Sequence, residues 1–214
     1  MIETTHLKNR NRSFEQWRSV LDCIAAILRS QGSRSCLDAI ALLNRMPKAV
    51  RRVPSRRLPV VAYLGNALSL THGSVAALAG EIDAAAPLLD WRQPYPRLQT
   101  GAQFQRNYAE AEIAGSIGPL IMDKAAIGLF LLGPGTYFPS HIREDRQIIM
   151  VLGGTGDFQR GHGAWVPKPP ASFVYQKPLT PQAFRTSGEP LLCLYVRMGE
   201  SAAQPAVLKA SVPG

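Results

Sequence analysis

Residues 131–156 constrain the fold of this chain more than any other stretch. They read LLGPGTYFPSHIREDRQIIMVLGGTG, two apolar segments joined by a short polar turn and bounded by glycines. Apolar runs this short, with Gly and Pro between them, are typical of antiparallel strands. Alternate residues of a strand point to the same face, so we expect the side chains of His141 and Arg143 to project together.

The same pattern of short apolar runs separated by Gly and Pro continues towards the end of the chain and predicts an all-β barrel or sandwich. We expect strands near residues 126–132, 137–143, 147–152, 156–160, 164–167, 172–176, 182–186 and 191–197.

The N-terminal part has helical periodicity instead, with apolar residues three and four positions apart. The predicted helices cover residues 13–31, 35–46 and 74–86. Ser13 and Gln16 fit a capping box at the start of the first helix, and Gly32 fits its end. The organisation that follows is an N-terminal helical region at 1–95, a β-barrel at 96–200 and a loosely attached tail at 201–214.

The net charge of +9 is concentrated near the N-terminus, since residues 1–57 hold twelve Lys and Arg against four Asp and Glu. The densest run is RRVPSRR at 51–57, in a Pro-punctuated loop. It fits a solvated face, or less well a surface for nucleic acid or anionic membrane. With no long apolar run, no secretory signal pattern and three dispersed cysteines, the composition predicts a cytoplasmic protein without a membrane span.

Several longer motifs together resemble the cupin-type dimethylsulfoniopropionate lyases and their lyase-like relatives, over roughly residues 60–200. They are ALAGEIDAAAPLLDW, IGLFLLGP, YFPSHIREDRQIIMVLGG, RGHGAW and FRTSGEPLLCLYVRMG. The resemblance implies a mainly β protein with N-terminal helices, whose barrel is the cupin double-stranded β-helix, or jelly roll. It also implies a pocket for a small carboxylate that carries a sulfonium or ammonium group, and a possible homodimer.

In that family three histidines and a glutamate hold a divalent metal. A tyrosine is proposed to remove the proton alpha to the carboxylate, which releases dimethyl sulfide and acrylate. By resemblance, His141 matches the first histidine, whereas Arg143, Gln147 and Gln182 replace the other three ligands. The family's tyrosine positions hold Phe138 and Ile149, although Tyr137 is adjacent to the first.

These replacements remove the metal chemistry that the resemblance would otherwise imply. Arginine offers no lone pair to a cation, and glutamine lacks the anionic oxygen of glutamate. We therefore expect no cofactor. A divalent metal such as zinc would require a rebuilt site that recruits Glu144, Asp145 or His162.

An arginine in a ligand position still provides a positive centre. Arg143 could bind a carboxylate, with Gln147 and Gln182 donating hydrogen bonds beside it. A buried arginine needs a partner, either a bound anion or an internal carboxylate such as Glu144 or Asp145; alternatively the side chain turns out to solvent. His141 is either a hydrogen-bonded core residue or a neutral base whose pKa Arg143 depresses, and Tyr137 either caps a strand or acts as the base.

The leading hypothesis is a lyase-like cupin that binds a small carboxylate or zwitterionic metabolite without C–S lyase activity. One alternative is an active lyase, or a related isomerase, with a rebuilt site that uses His141 or Tyr137. Another is a regulatory cupin whose basic N-terminal helices bind a protein partner or, less readily, nucleic acid.

Overall fold

The computed structural model of the chain describes residues 2–45 and 50–208, and within them five α-helices precede or flank the sheets. They are α1 (Ile2–Gln31), α2 (Arg34–Leu43), α3 (Leu64–Ser69), α4 (Ala76–Ala85) and α5 (Arg97–Asn107). Short 3-10 turns occur at Pro59–Tyr63, Gly73–Val75 and Ala86–Leu88. Because α1 already begins at Ile2, Ser13 lies inside the helix and the predicted capping box is wrong. The hydroxyl of Ser33, just before α2, instead accepts a hydrogen bond from the amide of Cys36.

Twelve strands follow in the described part of the chain. They are β1 (Trp91–Arg92), β2 (Tyr108–Gly115), β3 (Leu120–Ile121), β4 (Ala125–Leu132), β5 (Tyr137–Ile142), β6 (Arg146–Gly153), β7 (Gly156–Arg160), β8 (Val166–Lys168), β9 (Phe173–Gln176), β10 (Gln182–Arg185), β11 (Leu191–Met198) and β12 (Val207–Leu208). The eight predicted strands are all present, with ends within about two residues.

The strands form two facing sheets with the connectivity of a jelly roll. The first sheet has the order β1-β2-β4-β11-β6-β9, with β3 beside β2, and the second has the order β12-β5-β10-β7-β8. Successive strands from β4 to β7 alternate between the two sheets, and β9 to β11 return through them antiparallel. This is the mainly β, double-stranded β-helix fold with N-terminal helices that the sequence predicted.

The helices α1 to α4 cover the outer face of the first sheet, whereas Phe104 of α5 packs into the core between the sheets. Trp17 and Leu28 of α1 and Leu78 of α4 pack against Leu131 of β4 and Leu194 of β11 in one continuous apolar core. Residues one position away along the same strands, such as Tyr195, point to the opposite face. Strands that are buried on both faces in this way read as unbroken apolar runs, as LLCLYVRM does.

The core between the two sheets is aromatic. Phe130 of β4 stacks on Phe184 of β10 with ring centroids 5.5 Å apart, and Phe138 of β5 packs against both Phe184 and Tyr108. Gly128 makes room for this layer, because a Cβ there would collide with the ring of Tyr195. The polar residues predicted for the site lie at one end of this core.

Two parts of the predicted domain organisation differ from the structure. Residues 97–107, assigned to the barrel, form α5. Residues 201–208, assigned to a loose tail, pack onto the barrel: Ala202 and Ala206 are buried, and β12 pairs with β5 at Ile142 and His141. The rest of that tail, 209–214, lies outside the described residues, as do residues 46–49 of the predicted basic loop.

Two arginines of the basic run 51–57 bind other groups of the protein. Arg51 donates to the carbonyl oxygens of Ser116 and Gly118, and Arg56 pairs with Asp90. Among the described helices, none has the length and apolarity that crossing a membrane requires.

Candidate functional site

The four residues that the resemblance places at metal-ligand positions converge between the two sheets. His141 is the next-to-last residue of β5, Arg143 follows that strand in the turn, Gln147 is the second residue of β6 and Gln182 begins β10. All four are buried, from 3% exposed for His141 to 6% for Arg143. His141, Arg143 and Gln147 line a narrow cavity of about 10 Å³, room for one water molecule, whereas Gln182 contacts His141 but is not one of the residues that line it.

Hydrogen bonds fix the tautomer of His141. Its Nδ1 lies 3.0 Å from the carbonyl oxygen of Pro139, which can only accept, so Nδ1 carries the ring proton. Burial lowers the pKa of His141 to about 4, and the charges of Arg143 and Arg197 add to the effect. The ring is therefore neutral at pH 7, and its Nε2 accepts a hydrogen bond from the amide of Gln182 at 3.1 Å.

Arg143 points into the barrel rather than to solvent. Its guanidinium donates to the carbonyl oxygens of Ala202, at 3.3 Å, and Gln204. Neither Glu144 nor Asp145 is its partner in the described structure, because both carboxylates bind Ser201 instead. The Nε of Arg143 is buried without a hydrogen-bond partner among the described residues.

Sequence reasoning missed a second guanidinium in the same cavity. Arg197 of β11 donates from Nε to Gln147 Oε1 at 3.0 Å and forms a 2.9 Å ion pair with Glu110 of β2. Tyr108 donates its hydroxyl hydrogen to the same carboxylate, and the guanidinium lies 3.6 Å above the ring of Tyr195. Gln147 is thereby oriented with its oxygen towards Arg197.

The buried charges of this cluster sum to one positive charge. Burial alone would raise the pKa of Glu110, but the charge and hydrogen bond of Arg197 outweigh it and lower that pKa, so the carboxylate is ionised. Glu110 in turn raises the pKa of Arg197 against the effect of burial. Burial and the repulsion of Arg197 lower the pKa of Arg143, yet guanidinium groups stay protonated in proteins. Two guanidinium groups thus face one carboxylate and a neutral imidazole.

A divalent metal does not fit this set of side chains. The Nε2 of His141, which would be the ligand atom left free by its tautomer, is already engaged by Gln182. Two guanidinium groups beside it would repel a cation. No cluster of three or more His, Cys, Asp or Glu that could hold a metal ion occurs among the described residues.

The tyrosines divide between the cavity and the outside. Tyr137, the predicted base, is 51% exposed and packs on Trp165 at the outer surface. Tyr95 and Tyr108 do line the cavity, but burial and then the charge of Glu110 raise the pKa of both phenols, which makes them poor bases near neutral pH.

A larger cleft of about 610 Å³ opens beside this cavity, between β9 at the edge of one sheet and β8 at the edge of the other. Gln147 and Phe184 line both spaces, so these two side chains form the wall between them, and Gln182 lines the cleft alone. The other cleft residues are not among the positions that the resemblance assigned to metal ligands or tyrosine bases.

A sequence signal for the missed pair exists in retrospect. Arg197 interrupts the apolar run LLCLYVRM, and Glu110 and Glu112 alternate with apolar residues in YAEAEIAG. Charged residues are almost never fully buried unless paired, so an Arg in a strand buried on both faces predicts an acidic partner. Only the sheet order shows that this partner is Glu110, because Glu110 lies 87 residues before Arg197 in the chain.

Comparisons with known proteins agree with this fold. The family model for dimethylsulfoniopropionate lyase matches residues 31–193. The chain is 32% identical over 109 residues to the putative dimethylsulfoniopropionate lyase DddL of Cereibacter sphaeroides, an alignment that covers 50% of this chain and 46% of the relative. It is 28% identical over 152 residues to the dimethylsulfoniopropionate lyase DddQ of Ruegeria pomeroyi, covering 70% and 74%.

The crystal structure of DddQ from Ruegeria pomeroyi superimposes with a TM-score of 0.77 at 22% identity, covering 91% of this chain and 98% of that one. At this identity the superposition establishes the shared cupin fold alone. The residues that the family model matches run from the end of α1 to the start of β11 and include every lining residue of the cavity except Arg197 and Ala206. This chain is therefore a member of the dimethylsulfoniopropionate lyase family.

Proposed function

We propose that the barrel binds a small carboxylate or zwitterionic metabolite and does not catalyse the C–S elimination of its relatives. The observation that carries the proposal is the excess of buried positive charge, two guanidinium groups against Glu110, together with the unpartnered Nε of Arg143. A buried charge without a counterion is costly, and a bound carboxylate would supply one.

Each family-position residue has a defined role in this proposal. Arg143 donates from Nε to the ligand carboxylate. Gln147 adds a hydrogen bond from its amide nitrogen, which is oriented away from Arg197 because its oxygen faces that guanidinium. Gln182 Oε1 is buried without a partner among the described residues, beside His141, and would face the positive end of a zwitterion once the cavity opens. The rings of Phe138 and Phe184, which line the cavity, can contact a quaternary ammonium group.

The ligand requires the cavity to open, because about 10 Å³ holds a single water molecule. The segment that closes it is residues 199–208, here called the C-terminal strap. The carbonyl oxygens of Ala202 and Gln204, both in this strap, accept hydrogen bonds from the guanidinium of Arg143. A ligand carboxylate would take the place of these carbonyl oxygens.

Elimination is not proposed because neither predicted base is suited to it. The Nε2 of His141 already accepts from Gln182, and Tyr137 is outside the cavity. The donor set does not fit the divalent metal of the family. Three free cysteines support the further proposal of a reducing, cytoplasmic location.

The test combines three measurements on the full chain purified without affinity tag or chelator. We expect less than stoichiometric transition metal by elemental analysis, no dimethyl sulfide from dimethylsulfoniopropionate by gas chromatography, and calorimetric binding of dimethylsulfoniopropionate or glycine betaine. Arg143→Gln should weaken that binding by about tenfold or more, whereas Arg106→Gln on α5 should not. Dimethyl sulfide release that is lost in His141→Gln would refute the proposal and restore the active lyase.

A further inference from the structure

The cleft between β8 and β9 has a lining that the interior site does not explain. Its volume of about 610 Å³ is within the range of small-molecule sites in proteins. It lies between two edge strands, so its walls come from different sheets.

Aromatic side chains line the cleft on both sides of β9. Phe173 and Tyr175 of β9 pack towards the helix-covered face of the first sheet, with ring planes 19° apart and centroids 6.3 Å apart. Phe158 and Phe184 of the second sheet lie in the core between the sheets, with ring centroids 4.7 Å apart. All four line the cleft. A flat ring seated against Phe158 and Phe184 would be on the side of β9 that Val174 and Gln176 face, and would bury apolar surface on one of its faces.

The charged groups of the cleft have one sign. Arg146, Arg160, Lys168 and Lys177 line it, and no Asp or Glu is among the described residues that do. Arg146 is paired with Asp38, and Arg160 donates to the carbonyl oxygen of Tyr175. Lys168 and Lys177 take part in none of the ion pairs found among the described residues. These two lysines are available to an anion.

A buried acceptor adds a second requirement. Gln176 is 4% exposed and lines the cleft. Its amide nitrogen donates to the carbonyl oxygen of Thr180, which assigns the two ends of the amide, and its Oε1 is left without a partner in the described structure. An unsatisfied buried acceptor favours a ligand with an N–H or O–H donor.

We propose that this cleft is a second binding site, for an aromatic carboxylate that bears a hydroxyl or amino donor. The ring lies against Phe158 and Phe184, the carboxylate meets Lys168 and Lys177, and the donor bonds Gln176. Gln147 and Gln182 line part of the cleft, but Arg143 does not, so a variant of Arg143 tests the cleft independently of the interior carboxylate site.

The test uses 4-hydroxybenzoate as probe, with benzoate and phenol as probes that lack the donor and the anion. We expect calorimetric binding of 4-hydroxybenzoate that weakens with added salt, about tenfold weaker binding in the Lys168→Gln/Lys177→Gln double variant, and no change in Arg29→Gln, an exposed arginine on α1. Gln176→Leu should reduce the preference for 4-hydroxybenzoate over benzoate from about fivefold to about one.

Three outcomes would overturn the cleft site: no binding of 4-hydroxybenzoate, equal affinity in the double lysine variant, or a preference over benzoate that survives Gln176→Leu. The Arg143→Gln variant separates the two proposals. If 4-hydroxybenzoate binds in the cleft, its affinity for this variant should be within about twofold of its affinity for the parent chain. Loss of 4-hydroxybenzoate binding in that variant would place the bound probe in the barrel interior and refute the cleft site. Failure of both dimethylsulfoniopropionate and glycine betaine to bind would instead refute only the interior site.

Discussion

His141 keeps a neutral ring inside the barrel because burial, and then the charges of Arg143 and Arg197, oppose its protonation. Because the neutral imidazole carries its proton on Nδ1, its Nε2 accepts a hydrogen bond from the amide of Gln182. The histidine that the resemblance places at a metal-ligand position is therefore a fixed part of a hydrogen-bonded core. Its protonation should be visible as a change in stability with pH.

The pKa of His141 predicts acid destabilisation above pH 4. The unfolded ring titrates near 6.5 and the folded one near 4, so the unfolded state binds more protons between these values. Stability should fall as the pH drops from about 6.5 to about 4, by about 3 kcal/mol. Urea unfolding at pH 7.0, 5.5 and 4.5 measures this, with His141→Gln as the variant that lacks the titration. Parallel pH profiles for the two proteins would contradict the assignment.

The ion pair of Arg197 and Glu110 predicts a second residue-scale effect. Glu110→Gln would leave two buried guanidinium groups without an internal carboxylate, and we expect a loss of about 3–5 kcal/mol in the free energy of unfolding. Adding Arg197→Met should recover a large part of that loss, since it removes the uncompensated charge. A double-mutant cycle by chemical denaturation checks both steps, and additive losses would show that the two groups are not coupled.

At the scale of elements, the C-terminal strap closes the barrel through both its backbone and two small side chains. Ala202 and Ala206 are buried, and the intervening Ala203, Gln204 and Pro205 are exposed. Ser201 is held by Glu144 and Asp145, and β12 extends the edge of the second sheet beside β5. The alternation of buried and exposed alanines gives a matched test of how tightly the strap is packed.

Ala202→Leu should destabilise the protein by about 1–3 kcal/mol, because a larger side chain does not fit a site that is 1% exposed. Ala203→Leu adds the same atoms at an exposed position and should change stability by less than about 0.5 kcal/mol. Thermal unfolding compares the two variants directly. Equal effects would mean that the strap is not packed against the barrel in solution.

Hydrophobic periodicity predicted the elements whose composition is typical of their conformation. It missed the elements whose composition is not. The strands β4, β6 and β11 are apolar on both faces and were predicted within about two residues. The strand β2 was missed because YAEAEIAG combines alanines with two glutamates, a helix-like composition whose β conformation comes from pairing with β4. The direction of Arg143 was likewise undecided, since its acceptors lie on the strap about sixty residues further along the chain.

At the scale of the whole molecule, the helices and the first sheet share one apolar core. Side chains of α1, α2 and α4 contact those of β4, β6 and β11 without a solvent layer between them. The 1–95 and 96–200 regions of the sequence are therefore proposed as parts of one cooperative unit. Unfolding followed at two sites should test this.

We expect helix ellipticity and the near-ultraviolet signal of the inter-sheet aromatics to change in one transition. Leu28→Ala on α1 should lower the stability seen by both probes equally, by about 2–5 kcal/mol, because Leu28 is 1% exposed and contacts the shared core. Leu98→Ala, at a fully exposed position of α5, is the control. Separate midpoints for the two signals would show that the helical layer unfolds independently.

The contact between Arg143 and the strap also determines the order in which substitutions could build the family's set of metal ligands at this site. Gln147→Glu alone would place a carboxylate beside Arg143 and Arg197, where it would form an ion pair before it could serve a cation. Gln182→His alone would leave both guanidinium groups in place. Arg143 would have to be replaced first, and that step removes the donor held by the carbonyl oxygens of Ala202 and Gln204. Building a metal site by mutation would therefore begin by loosening the C-terminus, because the residue to be replaced first is the one that the strap holds.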